Sequence, residues 1–147
     1  MAAGSVALVP TLSISDLILP FFQQMLSRQG LEEVRGWLKT HAARVAQAHT
    51  AGVNVLAGTD GGMTPHGAVA REVRLLLEAG LPAEASLGAA SWRARAYLGM
   101  PGIEEGAPAD IVVFEADPIA DPNALRRPAL IILNGRVVGK TSPAASR

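Results

Sequence analysis

The chain of 147 residues contains no cysteine. This absence excludes a disulfide scaffold, a thiolate zinc site and a cysteine nucleophile. It also fits the reducing conditions of the cytoplasm, where we expect the protein to reside.

An excess of charge is also missing, because 13 Lys and Arg balance 13 Asp and Glu. No run of like charges offers the electrostatic surface that nucleic acid or an anionic membrane would require. We therefore expect a small-molecule substrate or a protein partner, with no nucleic acid and no membrane.

Long uninterrupted apolar stretches are absent as well. The most hydrophobic window, residues 4–22, contains two prolines and Asp16, and no Lys or Arg precedes it. It lacks both the charged start of a signal peptide and the unbroken span of a membrane helix. Buried core is the better interpretation.

Several nucleotide and hydrolase motifs are missing too. The sequence has no Walker loop, no dinucleotide fingerprint and no glycine-flanked nucleophilic serine, since Ser91 lies in AASWRA. The length suffices for a domain with a core but falls short of the roughly 250 residues of a complete β/α barrel.

What is present centres on the stretch VNVLAGTDGGMTPHG, residues 53–67. A short apolar run, 53–57, predicts a buried parallel strand that ends in the loop GTDGG. In β/α architectures the loops after the strands are where side chains meet a ligand. Asp60 lies in that loop.

The rest of the chain gives an α/β order. We predict a strand over 6–9, a helix or loop around 16–26, an amphipathic helix from Leu31 to near Gly52, and a right-handed parallel crossover to the strand at 53–57. Helices over 67–79 and 82–98 follow. A strand over 109–115 and a hairpin over 130–138, turning at Asn134 and Gly135, close the chain.

Asp60 and His66 are the candidate site residues. Asp60 could ligate a metal or act as a general base, or it could simply form a turn with Gly61. His66 could contact substrate, but polar residues are common near helix starts. His41 and His49 lie eight apart, lack the spacing of a helical zinc site, and are expected on a solvated helix surface.

The succession AGVNVLAGTDGGMTPHG, REVRLLLEAGLPAEASLGAAS, GIEEGAPADIVVFEADP and LIILNGRVV resembles the C-terminal part of the amidohydrolase superfamily. Its imidazolonepropionase-like and prolidase-like branch is most similar, and the resemblance runs from Gly4 to Val138. It implies a TIM-like (β/α)8 barrel of which only the last two βα units are present. Residues 1–108 would be this incomplete barrel, 109–139 the strands of a small antiparallel β-domain, and 140–147 a disordered tail.

The resemblance also implies a hydrolase of amide or related C–N bonds, possibly cyclic, that uses metal-activated water. Asp60 would be the family's last metal-ligating aspartate and would take the proton of the attacking water. Zinc is the expected metal, while iron, manganese and others also suit such sites. The histidines of the missing strands have no counterpart, so we expect this chain alone to hold no metal and to be inactive.

Two other hypotheses remain open at this point. The chain could be a non-catalytic interaction or assembly protein that retains the barrel's last units, or GTDGG could bind an anion through its backbone. As partners we expect a homo-oligomer or pairing with a missing N-terminal portion.

Overall fold

The computed structural model describes residues 6–140. Its strands are β1 (Ala7–Leu8), β2 (Asn54–Val55), β3 (Ile111–Val113), β4 (Leu130–Leu133) and β5 (Arg136–Lys140). Its α-helices are α1 (Ser15–Gln23), α2 (Arg28–Thr50), α3 (Val69–Glu78), α4 (Ala83–Ala89) and α5 (Trp92–Tyr97). Two 3-10 helices span Leu12–Ile14 and Pro122–Arg126. Among the helices of residues 6–140, none combines the length and the hydropathy that a membrane span needs.

The strands β1 and β2 pair in parallel, with Ala7 opposite Asn54 and Leu8 opposite Val55. Helix α2 lies between them in sequence and ends before Gly52, whose φ of 79° is the left-handed conformation that closes a helix. The predicted parallel pair and its connecting helix are confirmed, although both strands are shorter than their apolar runs.

The core of the described chain lies where this strand pair meets α2, α3 and α4. It is a cluster of apolar residues that are almost completely buried: Leu12, Val45, Val55, Leu76, Leu81 and Ala89. Helix α2 contributes only Val45 to it, while Trp37 on the same helix is 55% exposed. The apolar stripe of α2 is therefore only partly covered within residues 6–140.

The predicted single helix over 82–98 is wrong, because the chain forms two helices separated at Ala90 and Ser91. Ser91 leaves helical geometry (φ −140°, ψ −106°), and its hydroxyl donates to the Leu87 carbonyl over 2.6 Å. A serine that bonds to the preceding turn in this way competes with helix continuation. Trp92, at the start of α5, is 44% exposed.

The last third forms an antiparallel sheet in the order β3, β4, β5. Asn134 and Gly135 have φ values of 49° and 75°, as a type I′ turn requires, so the predicted hairpin is confirmed. The carboxylate of Asp110 accepts a hydrogen bond from the Asn134 amide at 2.7 Å and ties this turn to the start of β3.

Gly58 gives a stability prediction, because it packs tightly where the two parallel strands end. A Cβ at this position would collide with Val9 Cγ1 and lie 3.1 Å from Thr11 Oγ1. We expect Gly58→Ala to lower the free energy of unfolding by about 1–3 kcal/mol, measured by urea denaturation.

The matched control is Gly36→Ala in α2, where an added Cβ meets no atom within 4 Å. In an open helix interior this change should stabilise the chain by roughly 0.5–1 kcal/mol. Equal effects of the two substitutions would contradict the close approach at Gly58.

Asp16 and Arg71 join α1 to α3 through two hydrogen bonds, of 2.7 and 2.9 Å. The bond from Arg71 lowers the pKa of Asp16 below its ordinary value of 3.8. Asp16 therefore stabilises the fold above that pH, and its contribution is lost as the pH falls below 3.8 toward the lowered pKa. The pair is half exposed, so we expect only about 0.5 kcal/mol.

Urea unfolding of Asp16→Asn near neutral pH and in acid measures this contribution. The variant should be less stable than the parent near pH 7, and the difference should shrink as the pH falls below 3.8 toward the lowered pKa of Asp16. Glu32→Gln, which breaks the exposed pair with Arg35 inside α2, is the control and should change little. A deficit of Asp16→Asn that persists unchanged in acid would rule out the pairing.

Candidate functional site

The loops that follow β1 and β2 lie against each other and form the candidate site. Gly58, after β2, faces Val9 and Thr11, which follow β1. Both loops contain a residue in the left-handed region, Thr11 with φ 51° and Asp60 with φ 52°. For a β-branched residue such as Thr11 this conformation is unusual and needs support from its surroundings.

Asp60 is exposed and lies five residues after β2. Its main-chain carbonyl accepts from the amides of Met63 and Thr64, at 3.0 and 3.1 Å, and so closes a tight bend. The Thr64 hydroxyl also donates to the Thr59 carbonyl. The Asp60 carboxylate makes no hydrogen bond or ion pair with any residue from 6 to 140.

Both interpretations of Asp60 therefore apply to different atoms of the same residue. Its backbone forms the turn, but its carboxylate does not cap that turn. An aspartate that only stabilised a bend would bond to its own backbone. The carboxylate oxygens are instead free to accept a proton or to ligate a cation.

His66 lies over the same loop. Its ring atoms Cε1 and Nδ1 lie 3.6 and 3.7 Å from where a Cβ on Gly61 would be. A Cβ on Gly61 would make only ordinary van der Waals contact with the imidazole, so the ring lies beside the residue next to Asp60. His66 is exposed, and α3 begins three residues later, at Val69. The GTDGG loop thus does not lead directly into a helix, as backbone anion binding at a helix start would require.

Glu72, which the sequence reasoning did not single out, is completely buried on α3. Its Oε1 accepts from the Leu12 amide at 2.8 Å and its Oε2 from the Ser13 amide at 2.7 Å. It thereby satisfies two amides at the start of the first 3-10 helix and holds Thr11 in its unusual conformation. Glu72 is a structural support for the β1 loop.

A signal for Glu72 was present in the sequence. It lies on the same helical face as Val69, Val73 and Leu76, at the three- and four-residue spacing of a buried stripe. A carboxylate on such a face requires hydrogen-bond donors from another element.

The expectation that His41 and His49 are solvated is wrong. The His41 Nε2–H donates to the Pro10 carbonyl at 3.1 Å, and its ring stacks on Trp37 with centroids 5.4 Å apart. His49 Nδ1 is buried without a hydrogen-bond partner among the described residues. His41 thus helps to anchor the β1 loop to α2.

The residues present do not fit a complete metal site. No group of three or more His, Cys, Asp or Glu side chains between residues 6 and 140 is arranged to hold an ion. Asp60 offers one carboxylate, whereas metal sites in proteins use three or four ligands.

A sequence profile of the amidohydrolase family matches residues 7–138. The chain belongs to this family. Members generally use divalent metals, and the part of this chain that the structure describes has no group of side chains arranged to hold one.

Two uncharacterized mycobacterial proteins, from Mycobacterium tuberculosis and Mycobacterium bovis, are each 40% identical over 134 residues. Each match covers 83% of this chain and 36% of the relative. This amidohydrolase chain therefore spans little more than a third of their length.

Solved structures of related proteins are also matched over only part of their length. A putative prolidase from Bifidobacterium longum matches with a TM-score of 0.77 and 34% identity, over 95% of this chain and 37% of its own. A Xaa-Pro dipeptidase shares the fold with a TM-score of 0.71 and 23% identity, over 88% of this chain and 33% of its own. The Aspergillus niger ochratoxinase does so with a TM-score of 0.73 and 20% identity, over 92% of this chain and 33% of its own. The mixed α/β chain thus matches about one third of each amidohydrolase neighbour.

Proposed function

We propose that this chain supplies the C-terminal part of a metal-dependent amidohydrolase that cleaves C–N bonds. In this proposal β1 and β2 are the last two strands of a (β/α)8 barrel. Residues 109–139 form its small β-domain. The family match over 7–138 and the 36% coverage of the relatives support this assignment.

The observation that carries the proposal is the free carboxylate of Asp60 in the loop after β2. Parallel strands direct their following loops to one rim of the sheet, where ligands bind. Asp60 is there, exposed and without a partner among residues 6–140, in a bend held by its own main chain. We assign it as a metal-ligating and proton-transferring carboxylate of the longer protein.

Zinc is the proposed metal, with iron or manganese as alternatives. A divalent metal held by a full ligand set supplies hydroxide near neutral pH, because it lowers the pKa of its bound water. This chain would contribute Asp60 to that set, and the other ligands would come from the preceding part of the barrel.

The substrate is proposed to be a small molecule with an amide or related C–N bond, such as a dipeptide or a cyclic amide. The likeness to a putative prolidase at 34% identity supports this class. His66 is proposed to contact the substrate, because its ring lies over Gly61, next to Asp60. A neutral imidazole there can donate or accept a hydrogen bond.

The proposed partner is the N-terminal portion of the same enzyme. Within residues 6–140, β1 and β2 pair only with each other, which leaves the outer edge of each strand open. Parallel sheets are normally covered on both faces and extended at their edges. Exposed apolar side chains beside β1, such as Val6 and Val9, fit contact with a further strand.

The test is to purify the longer protein, measure its metal content and assay Xaa-Pro dipeptides, N-acyl amino acids and cyclic amides. We expect bound divalent metal and turnover of at least one class, with loss on chelation and recovery on adding metal. The reading frame upstream of Met1 should encode an HxH motif and further histidines. A stop codon there would overturn the proposal.

A second candidate function is a non-catalytic assembly protein that keeps the last barrel units. The edges of β1 and β2 that stay unpaired within residues 6–140 favour it, because a second chain could cover them. It predicts a stop codon upstream, a stable oligomer or hetero-complex, and no hydrolysis with any added metal. Sedimentation analysis and the upstream sequence together distinguish the two functions.

A further inference from the structure

A cleft of about 440 Å³ lies between α3 and the second 3-10 helix. Its volume falls within the roughly 300–1,000 Å³ of small-molecule sites. Three arginines line it, Arg71 and Arg74 from α3 and Arg126 from the facing 3-10 helix, and no acidic side chain does. Asp60 and His66 are not part of this cleft.

Arg71 is held in a fixed position. Its guanidinium donates twice to Asp16, and its Nη1 lies 3.9 Å from Glu78. The hydrogen bond to Asp16 raises the pKa of Arg71 above its ordinary value, so this group stays charged. It forms a rigid, cationic part of the wall.

Arg74 is incompletely satisfied. Its Nε is buried and makes no hydrogen bond within residues 6–140, although it forms an ion pair with Glu78 at 3.4 Å. Glu78 is shared with Arg71. The two terminal nitrogens of Arg74 make no hydrogen bond or ion pair within residues 6–140, and the side chain is 42% exposed and lines the cleft.

Arg126 lies on the opposite wall and is exposed, with no hydrogen bond or ion pair to any other residue of the described range 6–140. The carboxylate of nearby Asp121 is bonded to Asn123 instead. Glu72, close to Arg71, uses both oxygens for backbone amides. Guanidinium donors on two facing walls thus lack acceptors.

We propose that this cleft binds a small oxyanion, a carboxylate or a phosphate, between Arg126 and Arg74. The planar guanidinium presents paired N–H donors that match the spacing of carboxylate and phosphate oxygens. An anion here accepts from the terminal N–H groups of Arg74, neutralises Arg126 and joins α3 to the segment that leads into β4. The site is separate from the proposed hydrolytic site.

The test follows thermal unfolding of the 147-residue chain during titration with inorganic phosphate and, separately, acetate, at ionic strength held constant with sodium chloride. A ligand that binds only the folded state raises the unfolding midpoint in a saturable way. We expect saturation with at least one of the two anions, and the anion that saturates at the lower concentration shows whether the site prefers a phosphate or a carboxylate.

Two neighbouring arginines provide the matched variants. Arg126→Gln should weaken binding roughly 10-fold, because it removes a charged donor pair. Arg127→Gln removes the same charge from an exposed residue outside the lining and should leave binding unchanged. Arg126→Lys keeps the charge but loses the paired N–H donors of the guanidinium, so we expect an intermediate affinity.

Asp60→Asn should not alter the titration, whereas it would strengthen binding if the anion bound the GTDGG loop. A linear rise that chloride reproduces, or equal losses in Arg126→Gln and Arg127→Gln, would overturn the proposal. Isothermal titration calorimetry of the parent chain with the same two anions measures their binding directly, without unfolding the protein.

Discussion

Asp60→Asn in the longer hydrolase should reduce turnover by about 10²–10⁴-fold, the range that a positioned proton-transferring group contributes. The asparagine keeps the size of the side chain but can neither take a proton nor supply a charged ligand. The Asp60 backbone forms the bend through its carbonyl, which the substitution retains. The unfolding free energy should therefore stay within about 0.5 kcal/mol of the parent.

Glu105→Gln is the matched control for Asp60→Asn, because Glu105 is an exposed carboxylate with no hydrogen bond or ion pair within residues 6–140. It should retain full turnover. Metal analysis of both variants separates the two roles of Asp60: lower metal content indicates a ligand, and unchanged content with lost turnover indicates proton transfer alone. Unchanged turnover of Asp60→Asn would refute the assignment.

Glu72→Gln should lower the unfolding free energy of the chain by about 2–4 kcal/mol. Both carboxylate oxygens accept from buried amides, of Leu12 and Ser13. A glutamine replaces one acceptor by an NH₂ group, which leaves a buried amide facing another donor. The β1 loop, with Thr11 at positive φ, should then lose its support.

Glu78→Gln on the same helix is the control, since Glu78 is exposed and forms only surface ion pairs with Arg71 and Arg74. Its effect should be about 0.5 kcal/mol or less. Urea denaturation of the two variants measures the difference. If both substitutions cost the same small amount, Glu72 does not hold the β1 loop.

Much of the fold could be predicted from the sequence because local patterns determined it. The spacing of apolar residues in α2, the left-handed closure at Gly52 and the short apolar run before GTDGG were enough for the β1, α2, β2 unit. Asn134 and Gly135 were enough for the hairpin, since few residue pairs adopt positive φ at both positions.

The features that were missed depend on contacts between distant segments. The break between α4 and α5 comes from the Ser91 hydroxyl bonding back to Leu87, which competes with a continuous apolar pattern. The bond from His41 to Pro10 spans 31 residues, and that from Glu72 to Leu12 spans 60. Periodicity reports which face is buried but not which donor a polar group meets there.

The candidate site was only partly accessible to sequence reasoning. The position of Asp60 after a parallel strand followed from the local pattern and the order of elements. That its carboxylate is unbonded while its carbonyl closes the bend required coordinates. The support from Glu72 and the approach of His66 to Gly61 likewise depend on tertiary packing.

The most direct measurement compares metal-dependent amide hydrolysis by the 147-residue chain alone and by the same chain joined to the segment that precedes it in the longer protein. We expect no turnover and no bound metal for the chain alone. The joined protein should bind divalent metal and turn over substrate, and both should be lost or sharply reduced in its Asp60→Asn form. Turnover by the chain alone, or a folded longer protein that neither binds metal nor hydrolyses any amide, would contradict the assignment.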